Sequence, residues 1–141
     1  IFGCDDCQDV CPWNRHAVKT RVEGFEPKPG HLNPSLLEWM GMTRTEWNRR
    51  FKKTPVRRAT YDGFIRNVAI ALGNWGAPEV VPALVARLDD PSALVRGHVA
   101  WALGRADTAT ARIALRDRAP VEDDPWVREE IAAALEAREA S

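Results

Sequence analysis

Cysteine is the residue type in this chain best equipped for chemistry, and all three copies fall within eight residues: Cys4-Asp5-Asp6-Cys7-Gln8-Asp9-Val10-Cys11-Pro12. An odd number crowded at one end makes a poor disulfide framework. The pair Cys4 and Cys7 has the spacing of half a zinc site, but no second half follows. His16 and His31 lie outside the usual finger spacing. A redox dithiol would want a strand and helix around it in a βαβ pattern, and none surrounds this pair.

The spacing C-x2-C-x3-C-P matches the last three cysteines of the bacterial ferredoxin run C-x2-C-x2-C-x3-C-P. A tight loop wraps thiolates around a cube of iron and sulfide, and the final Cys-Pro turns the chain away toward a second cube. Cys4, Cys7 and Cys11 are therefore the candidate metal ligands, with zinc or structural thiols as the alternatives. A [4Fe–4S] cube takes four thiolates, so three cysteines cannot complete a site. The missing ligands are expected upstream of Ile1, and the chain reads as an excerpt of a longer polypeptide.

The elements that must position this loop read as helices. Residues 16–54 form a connecting segment rich in Pro and Gly at Gly24, Pro27, Pro29 and Gly30. Asn33-Pro34 reads as an N-cap with proline opening a short helix through Leu36, Leu37 and Met40. Thr43-Arg44-Thr45-Glu46 is a capping box, with Trp47 and Phe51 on the apolar side of its helix. Thr54-Pro55 is expected to open a helix running to Gly73 or Gly76.

The remainder, residues 55–141, repeats itself. Val68-Ala69-Ile70-Ala71-Leu72-Gly73 returns as Val99-Ala100-Trp101-Ala102-Leu103-Gly104, and more weakly as Ile131-Ala132-Ala133-Ala134-Leu135-Glu136. Asp90-Pro91 and Asp124-Pro125 mark the repeated helix entrances, and partner helices are expected near Pro78 and Asp107. Helix pairs recurring in this way predict an α-solenoid, because no unit can bury its apolar stripe alone. The fold class expected is all-α: a short HEAT-like solenoid preceded by the tail of a ferredoxin-like iron–sulfur segment over residues 1–15. The final repeat, with Glu136 in place of glycine, reads as a polar cap.

Charge is balanced overall but unevenly placed. Arg44, Arg49, Arg50, Lys52, Lys53, Arg57, Arg58 and Arg66 face only Glu46 and Asp62 within their stretch. Asp117, Glu122, Asp123, Asp124, Glu129, Glu130, Glu136 and Glu139 dominate the other end. A polyanion partner at the basic end is one reading, and a solvated helix face beside an acidic tail is the other. No stretch approaches the roughly 20 apolar residues that cross a bilayer, and no leader opens the chain, so a cytoplasmic location is expected.

The string Gly3-Cys4-Asp5-Asp6-Cys7-Gln8-Asp9-Val10-Cys11-Pro12-Trp13-Asn14 resembles the second cluster motif of epoxyqueuosine reductases. Arg66-Asn67-Val68-Ala69-Ile70-Ala71-Leu72-Gly73-Asn74 resembles the start of the HEAT-like domain that follows in that family. Asp89-Asp90-Pro91 with Val95-Arg96-Gly97-His98-Val99-Ala100-Trp101-Ala102-Leu103-Gly104 fits its next repeat. The resemblance implies the C-terminal part of an oxidoreductase that reduces epoxyqueuosine to queuosine in tRNA, using cobalamin and two [4Fe–4S] clusters fed by an external reductant. By the family pattern Cys4 and Cys7 would bind the second cluster and Cys11 the first. Cobalamin and the catalytic acid would belong to an upstream domain, so no catalytic residue is assigned.

Within that family context, Lys52, Lys53, Arg57, Arg58 and Arg66 are candidates to hold phosphates of a tRNA anticodon stem-loop, extended by Arg96 and His98. Structural alternatives stand beside them: Arg66 and Arg96 as caps or ion-pair partners, His98 as a satisfied rim histidine. Trp39, Trp47, Trp75, Trp101 and Trp126 read as core or inter-repeat packing, and Trp13 and Asn14 as residues that position the cysteine loop. Competing functions are a HEAT-like protein-interaction module and part of another iron–sulfur electron-transfer protein.

Overall fold

The computed structural model describes residues 1–25 and 33–136. Pro27, Pro29, Gly30, His31 and Glu139 therefore lie outside the described residues. Eight α-helices are described: α1 (Asp6–Asp9), α2 (Leu36–Met40), α3 (Arg44–Arg50), α4 (Tyr61–Trp75), α5 (Val81–Val85), α6 (Ala93–Ala106), α7 (Ala109–Arg118) and α8 (Pro125–Glu136). Short 3-10 turns link them, and no strand occurs among the described residues. None of the described helices is long and apolar enough to cross a membrane.

The repeated phrase becomes the repeated helix. Helices α4, α6 and α8 pack side by side as one layer, with α2, α5 and α7 against them as the other. Their shared stripe is buried: Phe64, Ile65, Val68 and Leu72 on α4, Val95, Val99 and Leu103 on α6, Val127 and Ile131 on α8. The glycine that ends the phrase has a steric reason. A Cβ on Gly73 would sit 2.6 Å from the Trp101 ring and 2.9 Å from Ala102 Cα. One on Gly104 would meet Ala134 at 2.7 Å from Cβ and 3.0 Å from Cα. Backbone cannot swing away as a side chain can, so each site marks where the next repeat approaches closely.

Gly73→Ala is accordingly expected to destabilise the fold by about 1–2 kcal/mol. Overpacking costs roughly 1–3 kcal/mol, which outweighs the roughly 1 kcal/mol that alanine gains over glycine in an open helix. Urea unfolding would show this as a lower midpoint, whereas Gly24→Ala, with nothing within 4 Å of its Cβ, should leave it unchanged.

Local signals are honoured in some places and displaced in others. Thr43 and Glu46 form the full capping box of α3, and the bonds from Thr43 to the Glu46 carboxylate hold it below its usual pKa. The helix expected from Asn33-Pro34 instead starts at Leu36. Ser35 is its N-cap and accepts from the Leu37 amide, while Asn33 lies in the left-handed region. The helix expected to run unbroken from Pro55 is split. A 3-10 turn, Pro55–Ala59, ends at Thr60, whose φ of 60° re-aims the chain before its hydroxyl caps α4 at Gly63. A β-branched residue in that region is strained, and nothing in the local spelling announces it. Asp107 closes α6 in the left-handed conformation, and Thr108 is the residue that caps α7.

The tryptophans divide. Trp47 is buried with Phe51, Tyr61 and Phe64 in one aromatic cluster that Trp39 joins. Trp101 lies over Gly73 and Trp126 over Gly97, so both serve inter-repeat packing. Trp75, read as packing from sequence, is 56% exposed at the end of α4 because Gly76 turns the chain there.

Candidate metal-binding segment and nucleic-acid surface

The cysteines occupy a turn wound around one residue of unusual conformation. Asp5, at φ 60°, is the N-cap of α1, its carbonyl accepting from the amides of Gln8 and Asp9 at 2.7 and 3.0 Å. Asn14 donates through Nδ2 to the Gln8 carbonyl at 2.7 Å, tying the following 3-10 turn, Pro12–His16, back onto the loop. Asn14 is thus a loop-positioning residue. Trp13, expected from sequence to share that task, is 84% exposed.

All three thiols are free, with Cys4 and Cys7 exposed and Cys11 half-buried. Among the described residues no three His, Cys, Asp or Glu side chains converge to hold a metal ion. The donor set still suits iron–sulfur chemistry: three soft sulfur donors on a tight loop, two of them exposed.

This segment is seated on the first repeat helix. Ile1 packs against the hydrophobic core, and its carbonyl accepts from Nδ2 of Asn67 on α4 at 2.7 Å. Nε of Arg66 donates to Oδ1 of Asn67 at 2.9 Å. Ile1, Phe2, Gly3 and Cys4 face Asn67, Ile70, Ala71 and Asn74 across an open cavity of about 400 Å³.

The basic candidates fall into three groups. Lys52, Lys53, Arg57 and Arg58 are exposed on the turn after α3 and on the 3-10 turn before α4. The Arg57 guanidinium lies 5.7 Å from the Trp47 ring centroid, a cation–π contact that leaves its outer face to solvent. Neighbouring Arg44 and Arg50 are paired with Asp62 and Glu38, which lowers the positive charge they offer. Arg66 is half-buried and spends Nε on Asn67.

Arg96 requires a correction. Of the two sequence readings, phosphate contact or ion pairing, the structure shows the second: it is buried and clamps Glu122 through Nε and Nη2 at 2.9 and 2.6 Å. Its Nη1 donates to the Asp90 carbonyl. Arg118 donates to the same Glu122 carboxylate, and the Asp124 amide supplies a further donor. These donors, Arg96 foremost, hold the Glu122 carboxyl far below the ordinary range, while Glu122 in turn raises the Arg96 pKa. Glu122, counted from sequence with the solvated acids, is a structural anion.

His98 also leaves the basic group. Its Nδ1 is 2.9 Å from the Leu94 carbonyl and its ring lies 5.5 Å from that of Trp126. Both line a cavity of about 250 Å³ with Ile70, Gly97, Trp101 and Glu130, a mainly apolar wall rather than a phosphate grip.

Two functional positions escape sequence reasoning. Asn67 was visible only as part of a quoted phrase, and its role depends on a partner 66 residues away. Arg87 donates through Nε to the Met40 carbonyl and through Nη2 to that of Met42, each at 2.8 Å. Carbonyl acceptors leave no trace in side-chain spelling.

Comparison with known proteins agrees with this arrangement. Residues 57–136 match the HEAT repeats family. The chain is 47% identical over 108 residues to epoxyqueuosine reductase of Pseudomonas aeruginosa, covering 74% of this chain and 29% of that protein. It is 43% identical over 119 residues to the Burkholderia pseudomallei epoxyqueuosine reductase, with 75% and 29% covered. It also superposes on a crystal structure of epoxyqueuosine reductase with an epoxyqueuosine-modified tRNA-Tyr stem loop. That match has a TM-score of 0.87 at 26% identity, covering 97% of this chain and 37% of the other. The chain thus spans about three-tenths of the length of the curated relatives it matches. It belongs to the HEAT repeats family, whose model matches more than half of the chain.

Proposed function

We propose that this chain forms the C-terminal part of an epoxyqueuosine reductase, acting in the cytoplasm on tRNA. One observation carries the reading: 97% of the chain matches, at a TM-score of 0.87, a reductase structure bound to its tRNA stem loop. The order of parts supports it, with the residues leading into the thiol loop held on the first repeat helix and an exposed basic turn preceding that helix in the chain.

In this reading Cys4 and Cys7 hold one [4Fe–4S] cluster together with cysteines from outside the chain, and Cys11 contributes to a second. The clusters, when bound, supply single-electron transfer toward a cobalamin carried by another domain. The chain's own residues position and clamp. Asn14 and Asp5 shape the thiol loop, Asn67 seats it on α4, and the exposed cations Lys52, Lys53, Arg57 and Arg58 offer a phosphate-binding edge.

The direct test is the full-length protein with its cofactors and epoxyqueuosine-containing tRNA, scored by loss of one oxygen from the modified nucleoside. Conversion that depends on reductant supports the proposal. A folded, iron-loaded protein that leaves the epoxide intact rejects it.

The clamp has its own test. Arg57→Glu combined with Arg58→Glu is expected to weaken anticodon stem-loop binding by about 10- to 100-fold and to flatten the salt dependence by roughly two counterions. Filter binding across a salt series would measure both. Unchanged affinity and slope would place the phosphate contacts elsewhere.

A further inference from the structure

We infer that Asn67 is the positioning residue that fastens the thiol loop to the repeat domain, with Arg66 acting as the residue that sets its orientation. The inference rests on the reading above insofar as the loop carries a cluster; the fastening itself rests on geometry alone.

The hydrogen-bond chemistry leaves one arrangement. An arginine Nε–H can only donate, so the Asn67 atom facing it at 2.9 Å must be Oδ1. The carbonyl of Ile1 can only accept, so the atom facing it at 2.7 Å must be the Asn67 amide nitrogen. The side chain is therefore read from both sides, and its orientation is fixed by chemistry rather than by convention. Arg66 and Asn67 both stand on α4, a fifteen-residue helix whose buried face anchors the core. Ile1 adds an apolar contact to the same core. Three residues further along the chain stands Cys4, opposite Asn67 and Ile70 in the shared cavity. A polar bond and an apolar anchor thus hold the segment leading into the thiol loop, immediately ahead of its first cysteine.

This also gives Arg66 a task other than phosphate contact. Its Nε is committed to Asn67, so its removal should act through the thiol loop as well as through charge. A deletion at Arg66 would mix the two effects; a change at Asn67 isolates one.

Asn67→Asp is the discriminating variant. Aspartate has nearly the same shape and keeps an acceptor for Arg66, but it presents an oxygen to the Ile1 carbonyl, turning attraction into repulsion. Asn67→Ala serves as a second variant should the first unfold. Both would be made in the full-length protein and compared with wild type by amide hydrogen exchange and by the rate of iron release to a chelator under anaerobic conditions. The expected result is exchange at least about 10-fold faster over residues 2–8, iron release several-fold faster, and an unchanged thermal midpoint for the repeats. A purely structural role for Asn67 would shift the midpoint and leave the local exchange aligned with it.

Unchanged exchange over residues 2–8 in a folded variant overturns the inference. Faster exchange with unchanged iron release also overturns it as a statement about cluster positioning. If the wild-type protein holds no iron, the cluster reading fails separately, and the exchange comparison still decides whether Asn67 fastens the loop.

Discussion

Replacing Glu122 by alanine is expected to destabilise the protein by about 3–5 kcal/mol, the cost typical of removing one partner from a buried ion pair. Glu122 is fully buried at its side chain and takes charged donors from Arg96 on α6 and Arg118 at the end of α7. Its loss would leave Arg96, which is itself buried, with only the exposed Asp123 carboxylate 3.4 Å away as counter-charge. At roughly 2–4 °C per kcal/mol for a domain near this size, the thermal midpoint should fall by about 10 °C. Glu122→Gln should recover part of the loss, since it keeps the shape and some hydrogen bonds. A drop of less than a degree for the alanine variant would mean that the pair gives register without net stability.

The pH dependence follows from the direction of the shift. The folded carboxyl is held far below the ordinary value, chiefly by Arg96. Its stabilisation is therefore fully present above the unfolded value of about 4 and fades as pH falls toward the folded value. The stability gap between wild type and Glu122→Ala should be constant from about pH 7 to 5 and narrow below about pH 4. A gap that widens on acidification would contradict this assignment.

The second large effect is expected at Arg87. Its guanidinium joins four partners: the Met40 and Met42 carbonyls, the Tyr61 hydroxyl and the Asp90 carboxylate. It thereby clamps the α2–α3 segment to the repeat layer. Hydrogen bonds from a charged donor contribute roughly 1.5–3 kcal/mol each and are not additive, so Arg87→Ala should cost about 3 kcal/mol. It also leaves the Asp90 side chain, only 4% exposed, without its cation. Lysine should rescue little, because one ammonium cannot reproduce the planar fork that reaches two carbonyls at once. Hydrogen exchange should localise the damage to residues 36–50, ahead of any change in α6 and α8. Since this segment leads into the basic turn, the proposed stem-loop binding should weaken too, although no charged residue on that turn has been touched.

How much of this was written in the sequence depends on the range of each interaction. The repeats were legible because the close approach of helices demands small residues at fixed intervals. Gly73 against Ala102 and Gly104 against Ala134 are that demand met twice. The Thr43–Glu46 box was legible because both partners lie within one turn. For Arg96 the sequence left phosphate contact and ion pairing both open, because its counter-ion lies 26 residues away in a stretch that reads as solvated acid. Arg87 went unnoticed because its partners are backbone carbonyls 47 and 45 residues distant. The break at Thr60 was hidden because Pro55 is as good a start for a 3-10 turn as for an α-helix.

The bond from Asn67 to Ile1 also bears on the order in which the protein assembles. Most contacts of a solenoid join neighbouring repeats, which close short loops and form early. The Asn67–Ile1 contact spans 66 residues, so closing it carries a larger entropic cost. Its acceptor has no docking surface until α4 is in place. The repeats should therefore fold first and the thiol loop settle onto them afterwards, which places maturation of any cluster after the scaffold that steadies it. On the proposed cluster reading, a chain with crippled repeats would then fail to load iron even with every cysteine intact.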